Sequence, residues 1–199
     1  MSETGLILAS ASERRLTLLA QIGVVPARVI AADLDETPLG DESPRQLAAR
    51  LARAKATAVA ARFPQAFVLA ADTVIAAGRR ILPKPADADA ARATLALLSG
   101  RRHQVFGAVA LRAPDGRWGE RLVKSRVTFA RLDAAEIDAY VSSGEWRGRA
   151  GGYAIQGRAG GFVRFLSGSY SNVVGLPLFE TRQLLRGLGG RHFDGYSGA

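Results

Sequence analysis

Asp72 stands in the middle of an otherwise apolar run from Phe67 to Ala77, and a carboxylate in that position needs a reason. The run reads as a strand buried on both faces, where an ionised group is costly unless it is paired or binds a metal. Two readings are open. The strand ends at Asp72 in a cleft, where the carboxylate does catalytic or metal-binding work beyond the strand's carboxyl end, or Asp72 is structural and bonds a turn. Lysine choice adds to this: only Lys55, Lys84 and Lys124 are lysine among 27 basic residues, and a compact ammonium meets phosphate as a point charge where arginine presents a fork. Lys55 follows Leu47 and Leu51 at four-residue spacing, on the apolar stripe of a helix, so it either meets an inward anion or snorkels past the core. Lys84 lies between Pro83 and Pro85 in an extended, rigid segment, which limits the entropy lost on binding.

Further polar groups gather at element ends. Ser10-Ala11-Ser12-Glu13-Arg14-Arg15 joins a short apolar strand, Leu6 to Ala9, to a helical pattern through Leu18, Leu19 and Ile22. Two hydroxyls and two guanidinium groups at a helix start make an anion site; an ordinary Ser cap with exposed arginines is the alternative. The segment is not a P-loop, whose glycines and lysine are missing. Asp33-Leu34-Asp35-Glu36 is either a metal loop beside this phosphate loop or a solvated turn. From Gly144 to Gly161 the chain carries seven glycines, which permit close backbone approach to a ligand. A mobile linker is the alternative, although Tyr153, Ile155 and Gln156 are larger than linker residues. Gly168-Ser169-Tyr170-Ser171-Asn172 leads into a last helix from about Val173 to Leu188, whose start is a second candidate anion site.

The elements that would position these groups can be read in order. After the first strand and helix, Val29-Ile30 leads a second strand, and Ser43 with Pro44 and Gln46 starts a long helix by a capping box. Gly78-Arg79-Arg80 is a turn, and Asp87 caps a helix running to Ser99 with Gly100 as its stop. Val105 to Arg112 and Trp118 to Leu132 read as a hairpin joined at Pro114-Asp115-Gly116. Asp133 and Glu136 start a short helix, and Phe162 to Leu166 resumes a strand. The tail from Gly190 should fray.

Composition bounds the class. With 199 residues, 48% of them hydrophobic, the chain can bury a sizeable core. No apolar stretch reaches a membrane span and Met1 to Gly5 lacks a basic signal region, so a cytoplasmic protein is expected. Without cysteine, and with His103 and His192 far apart, any metal should be hard and oxygen-bound, magnesium or manganese. A formal charge of +9 points to a polyanion. Its even spread favours a small phosphate-rich ligand over nucleic acid.

The chain resembles the Maf family, nucleoside triphosphate pyrophosphatases once described as septum-formation inhibitors. The carriers are Leu8-Ala9-Ser10-Ala11-Ser12-Glu13-Arg14-Arg15, Asp35-Glu36, Ala54-Lys55-Ala56, Ala71-Asp72-Thr73, Lys84-Pro85, Leu98-Ser99-Gly100, Ala150-Gly151-Gly152-Tyr153-Ala154-Ile155-Gln156-Gly157 and Ser169-Tyr170-Ser171-Asn172-Val173-Val174-Gly175-Leu176-Pro177. Glu13 stands where the family usually has proline, and Phe106-Gly107 where it has Thr-Gly or Thr-Ala. The resemblance implies a single α/β domain over residues 1–199, with a mixed twisted sheet in two lobes around a central cleft, as in the related ITPase-like folds. It implies hydrolysis of dTTP and UTP to the monophosphate and pyrophosphate, as house-cleaning of non-standard nucleotides. Asp72, Lys55 and Lys84 would be catalytic, and Glu36 and Asp72 would hold a divalent Mg2+ or Mn2+. Ser10, Ser12, Arg14, Arg15, Thr73, Gln156, Ser169 and Asn172 would bind substrate, with Arg15, Thr73 and Gln156 resembling base-specificity positions. The expected partner is the nucleotide, with no membrane and no specific nucleic acid; a second copy of the chain, as a homodimer, stays a candidate. The competing readings are a 7-methyl-GTP pyrophosphatase of the same family and a nucleic-acid-binding or cell-division regulatory protein.

Overall fold

The computed structural model describes residues 5–189; the tail from Gly190, expected to fray, lies outside them, as do Met1 to Thr4. The chain opens with β1 (Leu6–Ala9), α1 (Glu13–Gln21), β2 (Arg28–Val29) and α2 (Pro44–Arg62). It continues through β3 (Phe67–Ala77), β4 (Arg80–Leu82), α3 (Ala88–Leu98) and the hairpin β5 (Arg102–Arg112) and β6 (Trp118–Phe129). It ends with α4 (Ala134–Ser142), β7 (Val163–Ser167), α5 (Tyr170–Val174) and α6 (Leu178–Gly189). Helix starts follow the local chemistry: at α2 the Ser43 hydroxyl accepts from the Gln46 amide at 3.3 Å while Gln46 Oε1 accepts from the Ser43 amide at 3.0 Å. Asp133 and Glu136 repeat this reciprocal box at α4, and Asp87 caps α3 singly by accepting from the Ala90 amide at 2.8 Å, satisfying amides that otherwise lack partners.

The sheet is mixed, with seven strands in the order β2-β1-β3-β5-β6-β7 and β4 added on β3. Pairing of β1 with β2 and β3 is parallel, and the other pairings are antiparallel. Alternation along β3 divides the interior. Val68, Ala70, Val74 and Ala76 pack with Leu47, Leu51 and Val59 of α2, whereas Leu69, Ala71 and Ile75 join the larger core with Leu18, Leu95, Tyr140 and Leu184. A period of two along the strand thus buries both faces.

Three expectations change. The strand does not end at Asp72 but runs on to Ala77, with Asp72 opposite Ala108 of β5. The opening is on the other edge. Four-residue β1 pairs only as far as Ala9 with Ala70, and antiparallel β4 reaches back only to Leu82 opposite Ile75, so residues 71–74 have no strand on that side. The cleft is this gap, and Asp72 lines it from mid-strand. The expected last helix is two helices, because Gly175 at φ 143 and Pro177 interrupt the periodicity and Pro177 cannot continue a helical hydrogen-bond ladder. The strands of the hairpin are also shifted: β5 starts earlier, at Arg102, and β6 stops at Phe129.

Below the cleft, His103 is buried with Nε2 at 2.8 Å from the Tyr153 hydroxyl, and Nδ1 has no partner. Burial pushes its pKa down to about 4. The unfolded chain binds this proton below about 6.5 and the folded chain does not until about 4, so the stability it contributes is full above pH 6.5 and is lost as pH falls. Between pH 6.5 and 5 the loss should be about 1.5 kcal/mol. Denaturant titrations across that window should show the slope in the native sequence and a flatter line for His103→Gln; parallel curves would contradict it.

Candidate active site

The cleft has a volume of about 410 Å³, and its floor is an ionic cluster. The Lys55 ammonium donates to Asp72 Oδ1 at 2.6 Å and lies 2.6 Å from Glu36 Oε1. It reaches there because even-numbered β3 residues face α2, where Lys55 shares the buried stripe with Leu51 and Val59. Lys55 and Asp72 are both buried, at 8% and 7% exposure, so neither snorkels and neither bonds a turn. Glu36 also meets Lys84 through Oε2 at 3.2 Å, which draws the acidic loop and the proline-flanked segment together over Asp72. Burial works to raise the Glu36 pKa, but hydrogen bonds and charge from Lys55, then Lys84, hold it below the usual glutamate value.

Thr73 points to the opposite face of β3, and there the arginine loop closes. Arg15 donates through Nε to the Gly175 carbonyl at 2.9 Å, through Nη1 to Ser10 Oγ at 3.1 Å and through Nη2 to Thr73 Oγ1 at 3.3 Å. The Thr73 hydroxyl donates in turn to the Gly175 carbonyl at 3.4 Å. Desolvation pulls the Arg15 pKa below the ordinary arginine value, with Asp72 and Glu36 opposing it. Arg14 donates to the Val174 carbonyl at 3.3 Å. Ser12 caps α1 without a side-chain bond, its amide donating instead to Ser10 Oγ at 3.1 Å. Ser10, Ser12, Arg14, Arg15 and Thr73 therefore line one wall of the cleft.

Gln156 is exposed and lines the cleft. Its loop is no linker. The Ala154 amide donates to the Tyr140 hydroxyl at 3.0 Å, Tyr153 meets His103, and the Arg158 amide donates to Glu145 Oε2 at 2.9 Å. Tyr153, Ala154 and Ile155 are buried, so Gln156 projects from a fixed turn.

Ser169 and Asn172 do not line the cleft. Ser169 Oγ caps α5 by accepting from the Asn172 amide at 3.2 Å, and Asn172 is fully buried, its Nδ2 donating to Ser125 Oγ at 3.0 Å and the Val105 carbonyl at 3.3 Å. A Cβ at position 107 would collide with Asn172 Oδ1, which explains Gly107. Five residues long, α5 is a corner that fixes Gly175 rather than an anion-binding helix. Conversely, the cleft contains Arg147 and Arg149, for which the sequence offers only a weak signal, arginines alternating with glycine at 147–149.

Among the described residues no group of three or more His, Asp or Glu side chains gathers that could hold a metal ion, and no helix is long and apolar enough to cross a membrane.

A model of the Maf family, described as Maf-like protein, matches residues 5–188. A dTTP/UTP pyrophosphatase of Rhodospirillum rubrum is 64% identical over 94% of this chain and 89% of that protein. Proteins of the same name from Caulobacter vibrioides and Paramagnetospirillum magneticum are each 63% identical, over 94% and 92% of this chain and 96% and 97% of theirs. Among solved structures, a dITP/XTP pyrophosphatase of Mycobacterium abscessus overlays at a TM-score of 0.42 and 19% identity, over 65% of this chain and 76% of that one. Matched across nearly all its described length, the chain belongs to the Maf family.

Proposed function

We propose that the protein hydrolyses dTTP and UTP to the nucleoside monophosphate and pyrophosphate. The observation that carries this is the Asp72–Lys55–Glu36 cluster on the floor of a cleft where six cations face three carboxylates. The names of the relatives support the same substrates. Attack of water on the α-phosphorus of a polyanion needs neutralisation and positioning more than covalent chemistry. Asp72 accepts the water proton as general base. Lys55 keeps that carboxylate oriented and brings a positive charge to the reacting phosphate. Lys84, Arg14 and Arg15 balance the rest of the chain of phosphates, assisted by the hydroxyls of Ser10 and Ser12.

The donor set fits a divalent cation. Glu36 and Asp72 bring hard oxygen donors close together, each meeting the Lys55 ammonium through one oxygen, so a divalent cation would be held by these two carboxylates beside that ammonium. Magnesium commonly takes one or two carboxylates plus substrate phosphates rather than a full protein cage. Held by Glu36 and Asp72, Mg2+ or Mn2+ would supply neutralisation of phosphate oxygens and polarise the phosphorus.

At the base end, thymine and uracil both present an acceptor at O4 beside a donor at N3, which a glutamine amide can pair at once. Cytosine reverses the pair and is rejected by a site built for hydrogen bonds. Incubation with a panel of triphosphates and Mg2+, measuring pyrophosphate and phosphate separately, should give pyrophosphate from dTTP and UTP well above CTP, ATP and GTP. Gln156→Ala should cut the preference over CTP roughly tenfold, the value of about one hydrogen-bonded pair. Equal rates on all five nucleotides would remove the base-reading role, and a preference for 7-methyl-GTP would assign the chain to the other branch. Enzyme and substrate would share the nucleotide pool of the cytoplasm.

A further inference from the structure

Most cations of the cleft are already engaged. Lys55 and Lys84 are held by carboxylates, and Arg14 and Arg15 donate to backbone carbonyls. Arg147 is exposed and stacks on Trp146, its guanidinium carbon 4.7 Å from the ring centroid. Arg149 differs. It lines the cleft and is partly buried, and its Nε is shielded from solvent without a hydrogen-bond partner. Burial lowers its pKa, with only exposed Glu13 opposing. A desolvated donor on a charged group left unpaired is unfavourable, and an arriving anion removes that cost.

We propose that Arg149 is a further substrate-binding residue of this cleft, gripping the outer phosphates that leave as pyrophosphate, an inference that rests on the pyrophosphatase reading above. Its backbone is fixed for that task. The Arg149 amide donates to the Trp146 carbonyl at 3.1 Å, and its own carbonyl accepts from the Gly152 amide at 3.0 Å. Gly151 and Gly152, at φ 65 and 69, close a tight turn that pushes the Gly151 amide onto the Pro83 carbonyl at 3.2 Å. That bond ties the turn bearing Arg149 to the segment bearing Lys84, the phosphate side of the cleft, while Gln156 lies seven residues further along the loop. A guanidinium fork can hold two phosphate oxygens at once. As the water oxygen bonds to the α-phosphorus, the bond from that phosphorus to the bridging oxygen breaks. The electron pair leaves with pyrophosphate and the water proton passes to Asp72. Arg149 then faces charge that grows as the reaction proceeds, so its contact tightens in the transition state.

The test uses the full chain with Mg2+, following pyrophosphate release from dTTP and UTP and inhibition by inorganic tripolyphosphate. Arg149→Gln should raise KM about tenfold or more for both nucleotides and lower kcat as well, weaken tripolyphosphate inhibition by a similar factor and leave the dTTP to CTP ratio unchanged. Arg149→Lys, which keeps the charge and loses the fork, should recover part of the loss. Unchanged KM and unchanged tripolyphosphate inhibition in a folded Arg149→Gln protein would overturn the assignment, as would a changed base ratio with normal inhibition. If Arg149→Gln does not fold, Arg149→Lys decides alone: native KM and inhibition overturn the proposal, weakened values support it. Should the native protein release no pyrophosphate from either nucleotide, the functional reading fails. Thermal stabilisation by tripolyphosphate, compared between native and Arg149→Gln proteins, would still decide Arg149: a lost shift supports an anion contact and an equal shift refutes it.

Discussion

Asp72→Asn is expected to lower kcat by on the order of 100-fold or more, the usual contribution of a general base, while the protein stays folded and binds nucleotide. The two halves of the expectation have different origins. Catalysis is lost because an amide cannot accept the water proton and carries no charge toward a cation. Folding is kept because the amide oxygen still accepts from the Lys55 ammonium, which also retains Glu36 Oε1 at 2.6 Å. The substitution therefore strands no buried cation. Single-turnover pyrophosphate release separates chemistry from product release, and a thermal melt checks the fold. A folded Asp72→Asn protein with near-native turnover would leave the cleft without its base and would shift attention to Glu36.

How much of this arrangement was legible depends on whether the signal was local. The penalty for burying Asp72 and the four-residue spacing of Leu47, Leu51 and Lys55 are both properties of short stretches, and the structure joins the two side chains at 2.6 Å. Caps at Ser43, Asp87 and Asp133 were readable for the same reason. The place of Asp72 within its strand was not, because the opening at residues 71–74 is set by where β1 and β4 each stop, and strand pairing is a non-local fact. Ser169 and Asn172 cannot be placed from sequence, because serine and asparagine at a helix start serve equally as anion ligands or as a cap and a core strut. What decides is Ser125, more than forty residues away and accepting from Asn172 Nδ2.

The glycine-rich loop combined both cases. Its tyrosine and isoleucine spoke against a linker, yet the bonds that immobilise it reach back to His103 and Tyr140 and could not be read from its own composition. Arg149 is not marked in sequence for a related reason: in a chain rich in arginine its type carries little information, and only its missing partner in the fold distinguishes it. The base-reading role proposed for Arg15, Thr73 and Gln156 comes from family resemblance alone, and the structure shows Arg15 and Thr73 bonded to one another and to Gly175.

Lys55→Met should unfold the protein more readily, by about 4 kcal/mol at neutral pH, as well as abolish turnover. Methionine fills the space of the lysine stem, so the loss is electrostatic rather than a cavity effect. Asp72, at 7% exposure, is left as a buried carboxylate beside Glu36 with no ammonium between them, and breaking a buried pair by removing one partner typically costs about 3–5 kcal/mol. Two measurements isolate this cause. Adding Asp72→Asn to Lys55→Met removes the stranded charge, so the double variant should regain most of the stability although it stays inactive. Magnesium chloride should raise the melting temperature of Lys55→Met more than that of the native protein, because a divalent cation can take the place the ammonium held between the two carboxylates, and a control with sodium chloride at equal ionic strength removes general screening. If Lys55→Met were as stable as the native chain, or if the double variant were weaker still, Lys55 would not be the counter-charge of Asp72, and the cluster on the cleft floor would need another account.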